Sequence, residues 1–180
     1  MATFSSWISL QARLSGGRDK SVALWDVRIR KKLGSSTEHR GSVCAVAVSP
    51  DGKMLASGCS ANMIKFWNAE DMKAALASMS DHQSIIRTLC FSTDGKTLAS
   101  GSEDNTVKLW NVITHSQVAG FKCGGHVRLV TFSSDGNHLA VVTDDGNLTL
   151  LHATSLEEAD REAVADRNFA FSVTLFLVPV

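Results

Sequence analysis

At 180 residues, with 44% apolar and 20% charged side chains, the chain reads as ordinary soluble globular sequence with enough apolar content for a sizeable core. Its formal net charge of zero argues against a dedicated nucleic-acid binder, which would carry a basic surplus. Charge is unevenly placed, however: residues 1–33 hold seven Arg or Lys against two Asp, while residues 153–168 hold five acids against two Arg, and both stretches read as solvated surface.

In chain order, the first 18 residues contain no acid. They can be read as a short targeting peptide or as the frayed remnant of an opening strand, with Phe4-Ser5 echoing Phe91-Ser92 further on. An alternating run follows at Val22 to Asp26 (VALWD). Arg28, Arg30, Lys31 and Lys32 suit an outermost strand, where charge guards an open edge; a patch for phosphate or an acidic partner is the alternative. The second run, Ile64 to Asn68 (IKFWN), is followed by EDMKAALASMS, which is helical by propensity and a strand by register. The third is Val107 to Asn111 (VKLWN), and the fourth, Leu148 to His152 (LTLLH), puts Leu151 where the others have tryptophan.

Trp25, Trp67 and Trp110 are 42 and 43 residues apart, with Leu151 another 41 on. Upstream, Cys44 to Gly58, Arg87 to Gly101 and Arg128 to Val142 align without a gap. A fixed period of this size marks repeat architecture. Within a copy, period-two apolar runs turn at Asp51-Gly52, Asp94-Gly95 and Asp135-Gly136, where glycine supplies the positive φ of a tight hairpin. About four strands per copy are expected. A four-stranded sheet cannot bury both faces by itself, so the copies must stack. The predicted fold is all-β, a partial or open propeller of about four blades near 1–36, 37–80, 81–122 and 123–152. Residues 153–180 form a separate end, with a helix over about 156–166 begun by the Ser155/Glu158 capping box, then an apolar alternating tail too short and mixed to span a membrane.

These copies resemble the tryptophan-aspartate (WD) repeat family of β-propellers over roughly residues 14–152. The resemblance maps the family's His, Ser, Asp, Trp network onto His82, Ser100, Asp104 and Trp110. The residue types suit a buried chain, since indole only donates, carboxylate only accepts, and hydroxyl and imidazole relay. The second copy has His39, Ser57 and Trp67 but Ala61 in place of the aspartate. The first has Ser15, Asp19 and Trp25, its histidine falling before residue 1. The fourth has Cys123, Val141, Asp145 and Leu151, keeping only the aspartate.

Other fragments point away from catalysis. Gly95-Lys96-Thr97 echoes the end of a phosphate-binding loop, but residue 90 is Cys where that loop needs glycine. His82, Ser100 and Asp104 have the types of a hydrolase triad, yet their register beside Trp110 assigns them a structural role. Cys44, Cys59, Cys90 and Cys123 are scattered without paired metal-type spacing and read as reduced thiols. Cys123 and His126 show a CxxH spacing with no second pair.

The resemblance implies a non-catalytic, cytoplasmic scaffold with no cofactor, binding a protein or peptide partner on one rim of the propeller. Zero net charge and the short, mixed tail argue against nucleic-acid and membrane contact, and self-association through exposed blades is a further expectation. Carried onto this sequence, the family's contact positions are Ser42, Cys44 and Ser60 in the second copy, Ile85, Arg87 and Glu103 in the third, and His126, Arg128 and Asp144 in the fourth. Arg87 is expected to pair with Glu103 and Arg128 with Asp144. Two other readings stand beside it: a structural piece of a larger regulator, such as a kinase-linked propeller, and a propeller hydrolase.

Overall fold

The computed structural model describes residues 12–153. The predicted helix over 156–166, the apolar tail and the Phe4-Ser5 remnant lie outside them. Among the described residues there are fourteen strands and no helix. They form four antiparallel sheets in chain order. The first holds β1 (Ala12–Gly16), β2 (Val22–Asp26) and β3 (Lys31–Ser36). The second holds β4 (Val43–Val48), β5 (Met54–Cys59), β6 (Ile64–Asn68) and β7 (Ala77–Met79). The third holds β8 (Ile86–Phe91), β9 (Thr97–Ser102), β10 (Thr106–Asn111) and β11 (Gln117–Lys122). The last holds β12 (Val127–Phe132), β13 (His138–Thr143) and β14 (Leu148–His152). The architecture is all-β, a partial β-propeller. Where four strands per copy were expected, the two outer sheets contribute three each within the described residues. Cys59 is the last residue of β5.

The hairpin between the two inner strands uses one device three times. Ser49, Ser92 and Ser133 donate to Asp51, Asp94 and Asp135 at 2.6, 2.6 and 2.5 Å. The same hydroxyls accept the backbone N–H of Met54, Thr97 and His138 at 2.9, 3.0 and 3.0 Å. Gly52, Gly95 and Gly136 then take φ of 71°, 72° and 75°, conformations glycine adopts at little cost. The serine hydroxyls, with backbone N–H groups behind them, hold all three carboxyls below the usual aspartate range. Their contribution to stability is therefore complete above about pH 4 and is lost as pH falls further.

Helical propensity loses to register after the second tryptophan. The segment from Ala69 turns back through Met72, and only Ala77–Met79 pairs as a strand with β6. Met72 is buried against the first sheet, in a cluster with Val22, Leu24, Val43, Leu55 and Trp67, so burial decides the local conformation.

The sheets stack through such clusters. Trp67 packs with Val22 and Leu24 of the preceding sheet, and Trp110 packs with Ala45, Ala56, Ile64 and Phe66. Leu151, in the tryptophan position, packs with Val107 and Leu109. Along the inner side β4 packs on β1, β8 on β4, and β12 on β8, with no comparable contact between β12 and β1.

Candidate functional site

In the third sheet the histidine network is complete. Trp110 Nε1 donates to Ser100 Oγ at 2.8 Å, and Ser100 Oγ lies 2.7 Å from His82 Nε2. His82 Nδ1 lies 2.8 Å from Asp104 Oδ2. Because a carboxylate can only accept, Nδ1 carries the proton and Nε2 accepts from Ser100. Asp104 also accepts the N–H of Gln83 at 2.8 Å and of Thr106 at 2.9 Å, which ties two loops together. Ser100 is wholly buried, so its hydroxyl is spent on the network and out of reach of a substrate.

The second sheet carries the same chain with its end missing. Trp67 Nε1 donates to Ser57 Oγ at 2.7 Å, and His39 Nε2 lies 2.6 Å from that oxygen. With Ala61 at the aspartate position, His39 Nδ1 is buried without a hydrogen-bond partner. Burial, reinforced by the Lys65 ammonium, pushes the His39 pKa down to about 4. Burial also lowers the His82 pKa, but there Asp104 opposes it. The folded His39 value lies below that of the unfolded chain, about 6.5, so the unfolded state takes up a proton first. This contribution to stability is complete above pH 6.5 and is lost as pH falls toward 4. Ala61→Asp is expected to give Nδ1 an acceptor, raise the His39 pKa in an NMR titration, and add about 1 kcal/mol in urea unfolding. A lower or unchanged His39 pKa would contradict the network geometry.

At the ends the network is cut back in different ways. In the first sheet Trp25 Nε1 donates to Ser15 Oγ at 2.9 Å, with no histidine beyond it among the described residues. In the last sheet Cys123, Val141 and Leu151 are all buried in one apolar cluster. Replacing every partner together leaves no orphaned polar atom, which is why this copy tolerates the loss. Burial drives the Cys123 thiol up to about 11. The aspartates survive because they have a second, local task. Asp19 accepts from Ser21 N and Oγ at 3.1 and 2.7 Å, and Asp145 accepts from the Thr143 hydroxyl and from Asn147. Each holds a turn whose next residue, Lys20 or Gly146, has positive φ, as Asn105 does after Asp104.

The second group of predicted residues lies together at one end of the sheets. Ser60 N donates to Ser42 O, Glu103 N to Ile85 O and Asp144 N to His126 O, each at 2.9 Å. One backbone bond thus pairs the two loops in three successive sheets. Beside it, the pairing of β4 with β5 shifts between Val43 and Ala45, of β8 with β9 between Ile86 and Thr88, and of β12 with β13 between Val127 and Leu129. Cys44, Arg87 and Arg128 are the extra residues of these bulges. A bulge re-aims its side chain, so Cys44 and Arg128 are exposed and Arg87 partly so, between buried Val43 and Ala45, Ile86 and Thr88, and buried Val127 and half-buried Leu129.

A family model described as WD domain, G-beta repeat, matches residues 30–68, 74–111 and 117–150, together more than half of the chain. The chain belongs to the WD-repeat family. Each matched WD span begins in or near the outer strand of one sheet and runs into the next, so the sequence repeat is offset by one strand from the sheet. The chain is 37% identical over 57 residues to the kinesin-like protein KIF21A of Homo sapiens, covering 31% of this chain and 3% of that protein. It is 34% identical over 56 residues to eukaryotic translation initiation factor 3 subunit I of Aspergillus niger, covering 31% and 17%. With Protein HIR1 of Eremothecium gossypii the identity is 31% over 75 residues, covering 32% and 9%. The chain therefore spans only a small part of the curated relatives it matches. WD repeats make this a protein-interaction type of domain.

On the WD rim the charges form a line rather than two separate pairs. Arg87 Nε donates to Glu103 Oε1 at 2.7 Å. Arg128, expected to pair with Asp144, lies 3.8 Å from Asp144 Oδ2 and also 3.7 Å from Glu103 Oε1, so it stands between two acids. His126 Nδ1 lies 2.6 Å from the Glu103 carbonyl oxygen and so bridges the third and last sheets. Ser42 Oγ reaches the Arg18 carbonyl oxygen at 3.4 Å in the corresponding bridge from the second sheet to the first. Arg18 itself was missed in the sequence. It occupies the register of Ser60, Glu103 and Asp144, one residue before the turn position held by Asp19, and that alignment was the available signal.

Proposed function

We propose that this chain is a non-catalytic scaffold that binds a peptide or protein partner along the rim defined by Ser42, Cys44, Ser60, Ile85, Arg87, Glu103, His126, Arg128 and Asp144. The observation that carries the reading is the bulge repeated at Cys44, Arg87 and Arg128, which turns one side chain per sheet outward beside a loop held by the same backbone bond. The Arg128 side chain is 48% exposed, and its two ion-pair contacts are longer than hydrogen bonds. Such exposed pairs contribute at most about 1 kcal/mol to stability, so a partner can displace them at small cost. Free thiols at Cys44, Cys59, Cys90 and Cys123 support a reducing, cytoplasmic setting. A structural part within a longer regulatory protein is a second reading, supported by the small share of each relative that the chain spans.

Peptides selected from a random displayed library against the 180-residue chain provide the probe. Arg128→Ala is expected to weaken the selected peptides at least tenfold with an unchanged melting temperature, and bound peptide should slow alkylation of Cys44. Peptides that bind Arg128→Ala and wild type equally, and leave Cys44 open, would place the binding surface elsewhere.

A further inference from the structure

The turns that follow β1, β5, β9 and β13 carry a pair of residues at one register: Arg18-Asp19, Ser60-Ala61, Glu103-Asp104 and Asp144-Asp145. The third and last sheets have two acids there, and the first has one. The second sheet has none, although a sheet packs on each side of it.

The donors that serve these carboxylates elsewhere remain in the second sheet. Asp104 accepts from His82 Nδ1 and from the N–H groups of Gln83 and Thr106. His39, Arg40 and Met63 stand at the same three positions around Ala61. His39 is 3% exposed, and its Nδ1 has no acceptor among the described residues. With Ser57 donating to Nε2, as Ser100 does to His82, Nδ1 carries the proton and points at the place that Asp104 fills in the third sheet.

The Glu103 register shows a matching deficit. Arg128 has an acid on each side, Asp144 of its own sheet and Glu103 of the sheet before. Arg87 occupies the same place one sheet earlier and bonds Glu103 of its own sheet, but Ser60 stands where its second acid would be. Burial pushes the Cys44 thiol up and the Arg87 guanidinium opposes that shift, so this cation faces the second sheet as well. The preceding loop crosses the Ser60-Ala61 pair at Gly41, where a Cβ would meet Ser60 Oγ and Ala61 N, so no side chain is interposed there.

Building on rim binding, we propose that Ser60-Ala61 is the seat of a carboxylate supplied by the partner, an Asp or Glu side chain of an acidic peptide. Its oxygens accept from the Arg87 guanidinium, the Ser60 hydroxyl and His39 Nδ1. A carboxylate only accepts, which suits donors gathered on one spot; an ammonium would set donor against donor. Arg40, exposed beside His39, adds a second positive charge. Hydrogen bonds to an ionised group are stronger than neutral ones, and at Glu103 and Asp144 the chain's own acids would repel the same ligand.

Peptides selected from a displayed library on the 180-residue chain are the probe, compared with the Ser60→Glu/Ala61→Asp double variant, which restores the acid pair within the second sheet. Peptides selected on wild type should share one Asp or Glu, and its replacement by Asn or Gln should weaken binding about tenfold or more. On the double variant the same acidic peptides should bind about tenfold more weakly, and the replacement should change nothing. His39 ring resonances should move when the acidic peptide binds wild type. Because Ala61→Asp gives His39 an acceptor, the double variant should melt no lower than wild type, which separates lost binding from lost folding. Peptides with no shared acid, or an acid that matters equally to both proteins, would overturn the seat; if those peptides still fail on Arg128→Ala, rim binding itself stands. Selection of no peptide would count against rim binding, and acetate at constant ionic strength then tests the seat alone. Acetate should move the His39 resonances of wild type and not of the double variant; no movement in wild type would overturn the seat.

Discussion

Trp110→Ala is expected to lower stability by about 3–5 kcal/mol in urea unfolding, the usual range for truncating a large buried aromatic side chain. The indole is almost fully buried, packs on Phe66, Ile86, Leu98 and Val112, and donates to Ser100. Its removal leaves a cavity between the second and third sheets and strips Ser100 and His82 of their anchor. Trp25→Ala is expected to cost about half as much or less, since Trp25 makes the same bond to its serine but is 40% exposed. Equal losses would show that the first sheet is covered in solution, and the stacking order described above would then be incomplete. Trp110→Phe separates the two effects: it keeps most of the volume and deletes the N–H, and should cost about 1–3 kcal/mol through the unanchored serine.

Gly101→Ala should cost about 1–3 kcal/mol through overpacking, although alanine is ordinarily favoured over glycine inside a strand. The added methyl would meet Val127 and Thr88, both buried and without the freedom to swing aside. The matched change in the last sheet, Val142→Gly, should cost about 1 kcal/mol, the conformational penalty of glycine with little packing lost. If Gly101→Ala proved neutral, the third and last sheets could not approach as closely as the structure places them. Gly58→Ala, against Ile86, extends the comparison to the previous joint.

Much of this architecture could be read from residue order because it rests on short-range chemistry. The Ser-x-Asp-Gly turns work within six residues, by a hydroxyl that both donates and accepts and a glycine at positive φ. The histidine network was legible from four residue types at fixed offsets, and in the third sheet His82, Ser100, Asp104 and Trp110 are joined by hydrogen bonds. The surviving aspartates were harder to explain. Asp19 and Asp145 stand at the network's aspartate position with no histidine to bond among the described residues, and each holds its own turn. The Arg128 pairing was only half seen, because Glu103, its other neighbour, sits on a different sheet.

The period, the hairpins and the all-β WD-repeat class are legible in residue order, since each is a matter of local spacing and of side chains bonding to nearby backbone. Which side chains reach the rim is settled only by how the strands pair in three dimensions. Cys44, Arg87 and Arg128 point outward because a pairing shift against β5, β9 and β13 turns them, and a shift of register has no signature in one strand alone. Val142 matters because glycine holds its register in the other three sheets, each with a neighbouring strand packed against it. Both depend on contacts between segments distant in the chain, where free energy is set by packing rather than by the order of residues.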